Sequence, residues 1–554
     1  MKVCSNKTPI FWILISLTAL LYSINFSVND IWTENESFYA ESVREMVAKG
    51  NYLDITYNYL PRYNKPPLTY WLEALSTGLF GMNAFAIRLP IVILAFWTLL
   101  LVWSIGRMLY DEKTALLAFA MQAVSIQYIG CKQYASPEIP LSFFFTLCLY
   151  FFLKGHLYGN TRHYYFAAVS LGLSVLTKGY PYVIVIGGII ILYLLIDSDF
   201  RWRGFREKAL KLKPFAFIGI VFLIGLSWIA LMYVTHGNNF ITVLNQETFE
   251  RALIKRSNGI TDLFYYPAVL MWGFFPYSLF FVIACCHYII SMRRIKNVAY
   301  AFSWFLVMLI IFTSANGKLP TYFIQAYPAL ALISAHFITR FEPVGKSSAI
   351  VWNLLFLLPG IAGIILGSAI ITIFNLPTYY HLITAAALLL IVIASLQQKH
   401  NSGHEPAQYD IRYLQPYFGT LSALLIFVIG VLPQLEEYRK VDSIGTVINH
   451  KLQIPSGIPL YLQDDMIHNL PFYAERKIIP KSNPSIVLLQ KKPVLGLFQS
   501  KYIPVSVHSQ VIWNGPLYKR KNDESDFFLF LESHLNAKKG DLSAFTDYSL
   551  IYIK

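Results

Sequence analysis

Between its first two hydrophobic segments the chain reads Trp32-Thr33-Glu34-Asn35-Glu36-Ser37-Phe38-Tyr39-Ala40-Glu41, followed by Arg44-Glu45-Met46. The same interval closes with Tyr63-Asn64-Lys65-Pro66-Pro67-Leu68. Carboxylates, a lysine and aromatic residues are therefore concentrated between apolar segments that are long enough to cross a bilayer. A loop of this composition at a membrane surface suits the binding of an anionic lipid head group and chemistry on it.

The composition of the whole chain is typical of a polytopic membrane protein. Its 554 residues are 56% hydrophobic and 14% charged, whereas soluble domains carry about 25% charged residues. Apolar run length predicts about thirteen transmembrane helices. Their approximate limits are 9–26, 86–106, 113–131, 137–154, 163–177, 180–196, 214–235, 264–291, 297–315, 320–340, 347–375, 381–397 and 415–433.

The net charge of +14 does not indicate nucleic-acid binding. Lysine and arginine are concentrated in loops after the second, fourth, sixth and eighth spans, which marks those loops as cytoplasmic. Residues 9–26 lack a small-residue cleavage site and predict an uncleaved first span. With a cytoplasmic N-terminus and an odd span count, we expect loop 27–85 and the C-terminal region on the outer face. The absence of secretory disulfides and the overall layout favour a bacterial inner membrane over an endoplasmic reticulum.

Two segments of loop 27–85 have the pattern of helices that lie in the membrane interface, residues 36–48 and 66–81. In the first, we expect Phe38, Val43 and Met46 to face lipid and Glu41, Arg44 and Glu45 to face water. In the second, the expected apolar anchors are Tyr70, Trp71, Leu75 and Leu79.

After residue 433 the composition becomes that of a soluble domain. Short apolar runs alternate with turn signals such as Lys491-Lys492-Pro493 and Asn514-Gly515-Pro516. We predict a transmembrane domain over 1–433 and a small α/β domain over 434–554. The latter shows neither a Gly-rich phosphate loop nor a nucleophile elbow, so its sequence alone gives no mechanism.

Glu34, Glu36, Glu41 and Glu138 fall on the predicted outer face. A carboxylate held near a hydroxyl can act as a general base. For Glu41 the charged face of an interfacial helix is the simpler explanation, and Glu138 could also lie at the water interface beside Pro137 and Pro140.

Four cations share that face against the positive-inside rule, and a phosphate head group would account for them. They are Lys65, Lys178, Arg251 and Lys318. Snorkelling is an alternative for Lys178, and solvation in a mixed-charge loop is an alternative for Arg251. Tyr322 follows Lys318 closely enough in sequence to donate a hydrogen bond to the same phosphate.

Ordered motifs along the chain resemble those of the bacterial lipid A aminoarabinose transferases, which belong with the protein O-mannosyltransferases among the GT-C glycosyltransferases. The resemblance extends over nearly the whole chain. The motifs are Glu36-Ser-Phe-Tyr-Ala-Glu-Ser-Val-Arg-Glu-Met46, Asn64-Lys-Pro-Pro-Leu-Thr-Tyr-Trp71, Phe85-Ala-Ile-Arg-Leu-Pro90, Ala135-Ser-Pro-Glu-Ile-Pro-Leu141, Leu176-Thr-Lys-Gly179, Lys318-Leu-Pro-Thr-Tyr-Phe323 and Ala326-Tyr-Pro-Ala329.

The resemblance implies a membrane transferase that uses a polyprenyl-phosphate sugar donor on the outer face. It implies that Lys65 holds the lipid phosphate together with Arg251 and Tyr322, and that Glu138 is the acidic residue of the second outer loop. The acceptor would be a glycolipid such as lipid A, or a protein.

Two positions depart from the family pattern. The family has Asp-Glu where this chain has Asn35-Glu36, and because an amide is no base, that role would pass to Glu36, Glu34 or Glu138. The family often has a glutamate, associated with a bound metal, where this chain has Asn64. A neutral amide is a weak ligand, so whether a divalent metal binds is left unassigned.

Two other classes of protein stay open. A transporter or flippase for lipid-linked sugars usually shows repeated halves and ionisable residues at the membrane midplane, which this sequence does not. A noncatalytic member built on the transferase scaffold would account for Asn35 and Asn64.

Overall fold

A computed structural model describes residues 9–245, 263–291, 295–315, 317–400, 410–490, 492–504, 509–518 and 526–554. The helices up to residue 245 are α1 (Pro9–Ser23), α2 (Glu34–Lys49), α3 (Leu68–Phe80), α4 (Ala84–Leu109), α5 (Glu112–Ala123), α6 (Ile126–Lys132), α7 (Glu138–Tyr158), α8 (Arg162–Lys178), α9 (Pro181–Asp197), α10 (Trp202–Lys211), α11 (Pro214–Gly225), α12 (Ser227–His236) and α13 (Asn238–Asn245). The later ones are α14 (Tyr265–Gly273), α15 (Ser278–Ile290), α16 (Ile295–Ser314), α17 (Tyr327–Arg340), α18 (Lys346–Ile373), α19 (His381–His400), α20 (Gln415–Ile426), α21 (Val441–Gly445), α22 (Leu470–Ala474), α23 (Pro484–Val487) and α24 (Asp526–Ala537).

The chain divides into two compact units, each assembled from separated segments. The first unit comprises Met1–Ile24, Tyr63–Thr69 and Pro90–Phe427, and the second comprises Asn25–Arg62, Tyr70–Leu89 and Val428–Lys554. The first therefore holds most of the apolar helices, and the second holds most of loop 27–85 together with the C-terminal region.

Within the described residues, six helical segments are long and apolar enough to cross a membrane, and eight if each of two bent helix pairs counts as one span. The predicted polytopic helical class is confirmed, whereas the count of thirteen is not. The bent pairs explain part of the difference: α5 and α6 meet at 62°, and α11 and α12 at 46°. The predicted span 264–291 is likewise two helices, α14 and α15.

Glycines bring α18 and α20 of the first unit into close contact. A Cβ built on Gly419 would lie 2.0 Å from the carbonyl oxygen of Gly360, and one built on Gly363 would lie 2.3 Å from the carbonyl carbon of Gly419. Small residues let helix backbones approach in this way in membrane proteins, where packing replaces the hydrophobic drive between helices.

Helix α2 of the second unit begins at the N-cap Thr33, whose side chain accepts from the backbone N–H of Glu36, and ends at Gly50 with φ 63°. The expected orientation of its charged residues is wrong. Glu41, Arg44 and Glu45 are buried, because Arg44 pairs with Glu41 at 2.7 Å and Lys49 pairs with Glu45 at 2.7 Å. Val43 and Met46, expected to face lipid, are also buried within the protein.

Helix α3 exposes apolar side chains and buries polar ones, the reverse of an amphipathic helix on the surface of a soluble protein. Leu75 and Leu79 are 67% and 71% exposed, as expected of apolar anchors. The buried residues of the helix include the polar side chains Glu73, Ser76 and Thr77. Tyr70, expected to be an anchor, is buried and stacks on Tyr39 with ring centroids 4.4 Å apart. An apolar outer face and a polar inner face suit a helix that lies in the membrane interface.

The C-terminal region folds around a five-stranded sheet with strand order β4-β3-β5-β7-β6. Its strands are β3 (Leu460–Leu462), β4 (Ile478–Ile479), β5 (Val494–Gln499), β6 (Val511–Tyr518) and β7 (Phe545–Ile553); β1 (Thr56–Tyr57) and β2 (Leu60–Pro61) form a separate hairpin. Strand β3 runs parallel to β4 and β5, and β7 runs antiparallel to β5 and β6. Side chains of β5 pack into two hydrophobic cores. Leu495 and Leu497 belong to one core, and Val494 and Phe498 belong to the other.

Asparagines near the start of the second unit bind its C-terminal part. Asn25 Nδ2 donates to the carbonyl of Val428 at 3.1 Å. Asn29 Nδ2 donates to the carbonyl of Leu432 and to Oε1 of Glu436, each at 2.7 Å. Residues about 400 positions apart in sequence thus satisfy each other's buried polar groups.

Candidate functional site

Lys178 and Glu138 form a buried ion pair in the first unit. Helix α7 begins at Glu138 and helix α8 ends at Lys178, so that the two side chains come from the ends of neighbouring helices. Lys178 Nζ donates to Oε1 of Glu138 at 2.6 Å, and each side chain is 8% exposed. Snorkelling into water does not describe a lysine whose ammonium is paired inside the protein.

Tyr322 lies against the same ammonium. It belongs to the 3₁₀ helix Pro320–Ala326, and Lys178 Nζ is 4.8 Å from the centre of its ring. A cation, a carboxylate and a half-buried phenol therefore share one place. A phosphate oxygen entering there would meet an ammonium already desolvated, the condition in which charge-assisted hydrogen bonds are strongest.

Two of the other predicted cations, Lys65 and Lys318, donate to nearby backbone carbonyls. Lys65 of the first unit donates to the carbonyl of Asn64 at 3.1 Å, and Lys318 donates to the carbonyl of Ala315 at 2.8 Å. The neighbour of the Lys65 motif, Tyr63, packs on Phe240 of α13 with ring centroids 5.3 Å apart. Arg251 lies outside the described residues.

The predicted carboxylates of α2 lie in the second unit. Both oxygens of Glu36 are engaged: Arg88 Nε donates to Oε1 at 2.7 Å and Arg88 Nη2 to Oε2 at 2.9 Å. The backbone N–H of Trp32 also donates to Oε2 at 3.2 Å. Asn35 is exposed. Glu34, with its side chain 45% exposed, has Oε1 3.5 Å from Nε2 of His468.

The ring of His468 is held by aromatic neighbours of the same unit. Its Nδ1 is 3.4 Å from the hydroxyl of Tyr57, and its centroid is 5.1 Å from that of Phe38 in an edge-to-face arrangement. The opposite nitrogen faces Glu34. A histidine between a phenol and a carboxylate can move a proton at near-neutral pH.

Glu73 on α3 is another carboxylate of the second unit, and it lies near Glu36. It is fully buried, and neither of its carboxylate oxygens has a hydrogen-bond partner among the described residues. Burial, and next the negative charge of Glu36, raise the pKa of Glu73 well above its usual range. Burial beside the charge of Glu36 therefore favours the neutral form of the Glu73 carboxyl.

A metal centre receives no support from side-chain grouping. Within the described ranges, no three or more histidine, cysteine, aspartate or glutamate residues are placed to hold a metal ion. At the family's acidic position the chain has Asn64, whose amide is a poor substitute for a carboxylate ligand.

Sequence reasoning missed three residues. Arg88 was visible as a charge in an apolar segment, which calls for a buried partner. Glu73 was visible as the charged residue of an interfacial helix opposite its leucines. His468 had no such signal, because nothing in the sequence connects it with Glu34.

Comparisons with known proteins identify relatives of this chain. Residues 64–228 match the family model described as dolichyl-phosphate-mannose-protein mannosyltransferase. An uncharacterised protein of Aquifex aeolicus is 30% identical over 481 residues, 85% of this chain and 89% of the relative. Undecaprenyl phosphate-alpha-4-amino-4-deoxy-L-arabinose arabinosyl transferase 1 of Proteus mirabilis is 27% identical over 379 residues, 64% of this chain and 65% of that relative's length.

Solved structures share the fold. The crystal structure of ArnT from Cupriavidus metallidurans in the apo state superposes with a TM-score of 0.71 at 19% identity, covering 90% of this chain and 94% of ArnT. The same protein bound to undecaprenyl phosphate superposes with a TM-score of 0.70 at 18% identity and covers 98% of both chains. The chain belongs to the GT-C family of membrane glycosyltransferases that includes the aminoarabinose transferases and the protein O-mannosyltransferase-like proteins.

Proposed function

We propose that this protein transfers a sugar from a polyprenyl-phosphate-linked donor to an envelope acceptor, a lipid A-like glycolipid or a protein. The observation that carries the proposal is the buried Lys178–Glu138 pair beside Tyr322. The relative from Proteus mirabilis, named for an undecaprenyl phosphate donor, supports the donor class. The reaction takes place on the outer face of the inner membrane, with the N-terminus cytoplasmic and residues 434–554 in the periplasm.

The chemistry is an inverting transfer of a hexosyl or pentosyl group. An acceptor oxygen attacks the anomeric carbon, the bond from that carbon to the phosphate oxygen breaks, and polyprenyl phosphate leaves with the bonding electrons. Cations next to the leaving phosphate stabilise the charge that develops on it. We assign this task to Lys178, Lys65, Arg251, Lys318 and Tyr322.

The proton of a hydroxyl acceptor needs a base. Both oxygens of Glu36 are engaged by Arg88 and Asn35 is an amide. The remaining candidates are Glu34, with His468 beside it, and Glu138, whose Oε2 has no hydrogen-bond partner among the described residues. An acceptor that is itself a phosphate arrives ionised and needs little base, which would make Asn35 acceptable at the family's aspartate position.

The test uses purified protein in nanodiscs with a radiolabelled polyprenyl-phosphate sugar pool and cell-envelope acceptors. We expect label to move to lipid or protein with the wild type. Transfer should be lost in Lys65→Ala and in the double variant Lys178→Met/Glu138→Gln, which leaves no unpaired buried charge. Lys154→Ala is the matched control, because Lys154 also lies over a tyrosine ring, at 5.4 Å from that of Tyr150.

Retained transfer in the folded double variant would overturn the assignment of this site. Lipid binding that depends on Lys65 and Lys178 without any transfer would instead identify a noncatalytic member of the family. Movement of the intact labelled lipid between leaflets would identify a flippase.

A further inference from the structure

Strands β3 and β5 of the C-terminal sheet are adjacent and parallel. The connections that follow them run to opposite sides of the sheet. After β3 the chain continues to β4 on one side, and after β5 it continues to β6 and β7 on the other. The chain therefore leaves β3 and β5 toward opposite sides of the sheet, the topology that creates an opening at the carboxyl ends of two adjacent parallel strands. In open α/β sheets this is where ligands bind.

Polar side chains meet at that opening. Gln499, the last residue of β5, donates through Nε2 to Oδ2 of Asp464 at 2.7 Å, and its backbone N–H donates to Oε1 of Gln463 at 3.0 Å. The hydroxyl of Tyr548 on β7 donates to the same Oδ2. Lys481 fixes the loop, since its backbone N–H donates to the carbonyl of Asp464 at 2.9 Å.

These bonds hold the side chains and leave other atoms for a ligand. Asp464 Oδ1 and Gln463 Nε2 have no hydrogen-bond partner in the part of the chain that the structure describes, and both residues are half-buried rather than sealed. Two consecutive residues thus offer one unpaired acceptor and one unpaired donor, and neighbouring hydroxyls of a sugar each donate and accept.

Other ligand classes fit less well. An anion would be repelled by Asp464, and the adjacent lysine, Lys481, is paired at 3.0 Å with the exposed Asp465. A divalent cation prefers several carboxylate or carbonyl oxygens, and here Asp464 is the carboxylate of the cluster. A neutral polyhydroxylated group satisfies the free acceptor and the free donor together.

We propose that the carboxyl ends of β3 and β5 form a carbohydrate-binding site, in which Gln463, Asp464 and Gln499 hold a neutral sugar of the acceptor. That the sugar belongs to the acceptor rests on the proposed transferase function, whereas sugar binding itself does not. The loop after β3 also carries His468, four residues beyond Asp464, to the side of Glu34 on α2. Sugar recognition and a proton-transfer candidate are thus held by one loop.

Saturation-transfer difference NMR on the full chain in nanodiscs tests the site, with methyl glucoside, methyl mannoside and methyl N-acetylglucosaminide as probes. We expect at least one glycoside to bind the wild type. Binding should weaken at least about tenfold in Asp464→Asn and in Gln463→Ala, because each loses a fixed hydrogen bond to the sugar. The matched control is Asp465→Asn, whose carboxylate is 82% exposed on the same loop.

Thermal unfolding, and binding of polyprenyl phosphate, should stay at wild-type levels in Gln463→Ala, which separates loss of sugar binding from misfolding. The proposal is overturned if none of the glycosides shows saturation transfer, or if the variants and the control bind equally. Asp464-dependent sugar binding without any glycosyl transfer would leave this site standing and reject the transferase function.

Discussion

Arg88 holds both carboxylate oxygens of Glu36, with Nε 2.7 Å from Oε1 and Nη2 2.9 Å from Oε2, and both side chains are buried. Removing one partner of such a pair leaves a buried charge uncompensated. We expect Glu36→Gln to lower the free energy of unfolding by about 3–5 kcal/mol. Denaturant unfolding of the detergent-solubilised protein measures this loss.

Glu34→Gln offers the contrasting outcome, because the Glu34 side chain is 45% exposed. We expect its free energy of unfolding to stay within about 0.5 kcal/mol of the wild type, while transfer to a hydroxyl acceptor falls. Equal stability of the Glu36 and Glu34 variants would contradict a structural role for the Glu36–Arg88 pair.

Glu73 makes the stability of the second unit depend on pH. The pKa of its carboxyl is raised in the folded state by burial and by Glu36, so the folded protein binds more protons than the unfolded chain between the two pKa values. Stability from this group is complete below the unfolded pKa and is lost as pH rises toward the folded one. The isosteric Glu73→Gln should therefore lose less stability than the wild type as pH rises above about 4.3, the usual pKa of a glutamate.

Thermal unfolding across that pH range checks the prediction, with Glu532→Gln at an exposed position of α24 as the control. Parallel pH profiles for the wild type and Glu73→Gln would show that Glu73 is ionised in the folded protein.

Gly419 should tolerate no side chain. Its Cβ would meet the carbonyl of Gly360 at 2.0 Å, and backbone cannot move aside as a flexible side chain can. We expect Gly419→Ala to separate α18 from α20 and to lower the melting temperature clearly. Gly187→Ala on α9 is the control, because nothing lies within 4 Å of its added Cβ; an equal effect of both changes would contradict the close packing.

Lys178 and Glu138 should couple strongly in a double-mutant cycle. Each single change, Lys178→Met or Glu138→Gln, strands a buried charge and should cost about 3–5 kcal/mol. The double variant should cost much less than the sum, because no charge is left without a partner. Additive losses would indicate that the two side chains do not interact in the folded protein.

The features that the sequence predicted correctly are those that depend on the local pattern of apolar and polar residues. The helical class follows from apolar run length, and α3 appears with its exposed Leu75 and Leu79 because a one-sided apolar stripe is a local property. Lys178, Glu138 and Tyr322 were each predicted to lie on the outer face, from loop charge or from the resemblance to the family, but their meeting was not predicted. Neither source gave the distance between Lys178 and Glu138.

The errors arose where tertiary contacts override pattern. Glu41, Arg44 and Glu45 were assigned to water because they are charged, yet partners within reach make their burial possible. Bends between α5 and α6 and between α11 and α12 divide apolar runs that hydropathy reads as continuous. The Glu34–His468 contact joins residues 434 positions apart in sequence. Hydrophobic periodicity describes neighbouring residues and cannot predict a contact over that separation.

The bond from Asn29 to the carbonyl of Leu432 has a consequence for biosynthesis. Its two residues are 403 positions apart, and ribosomes add about 5–20 residues per second. After Asn29 is made, roughly 20–80 seconds must pass before its partner exists. The bond therefore cannot form until the intervening helices have been synthesised, so the packing of the N-terminal part of the second unit is completed only near the end of translation.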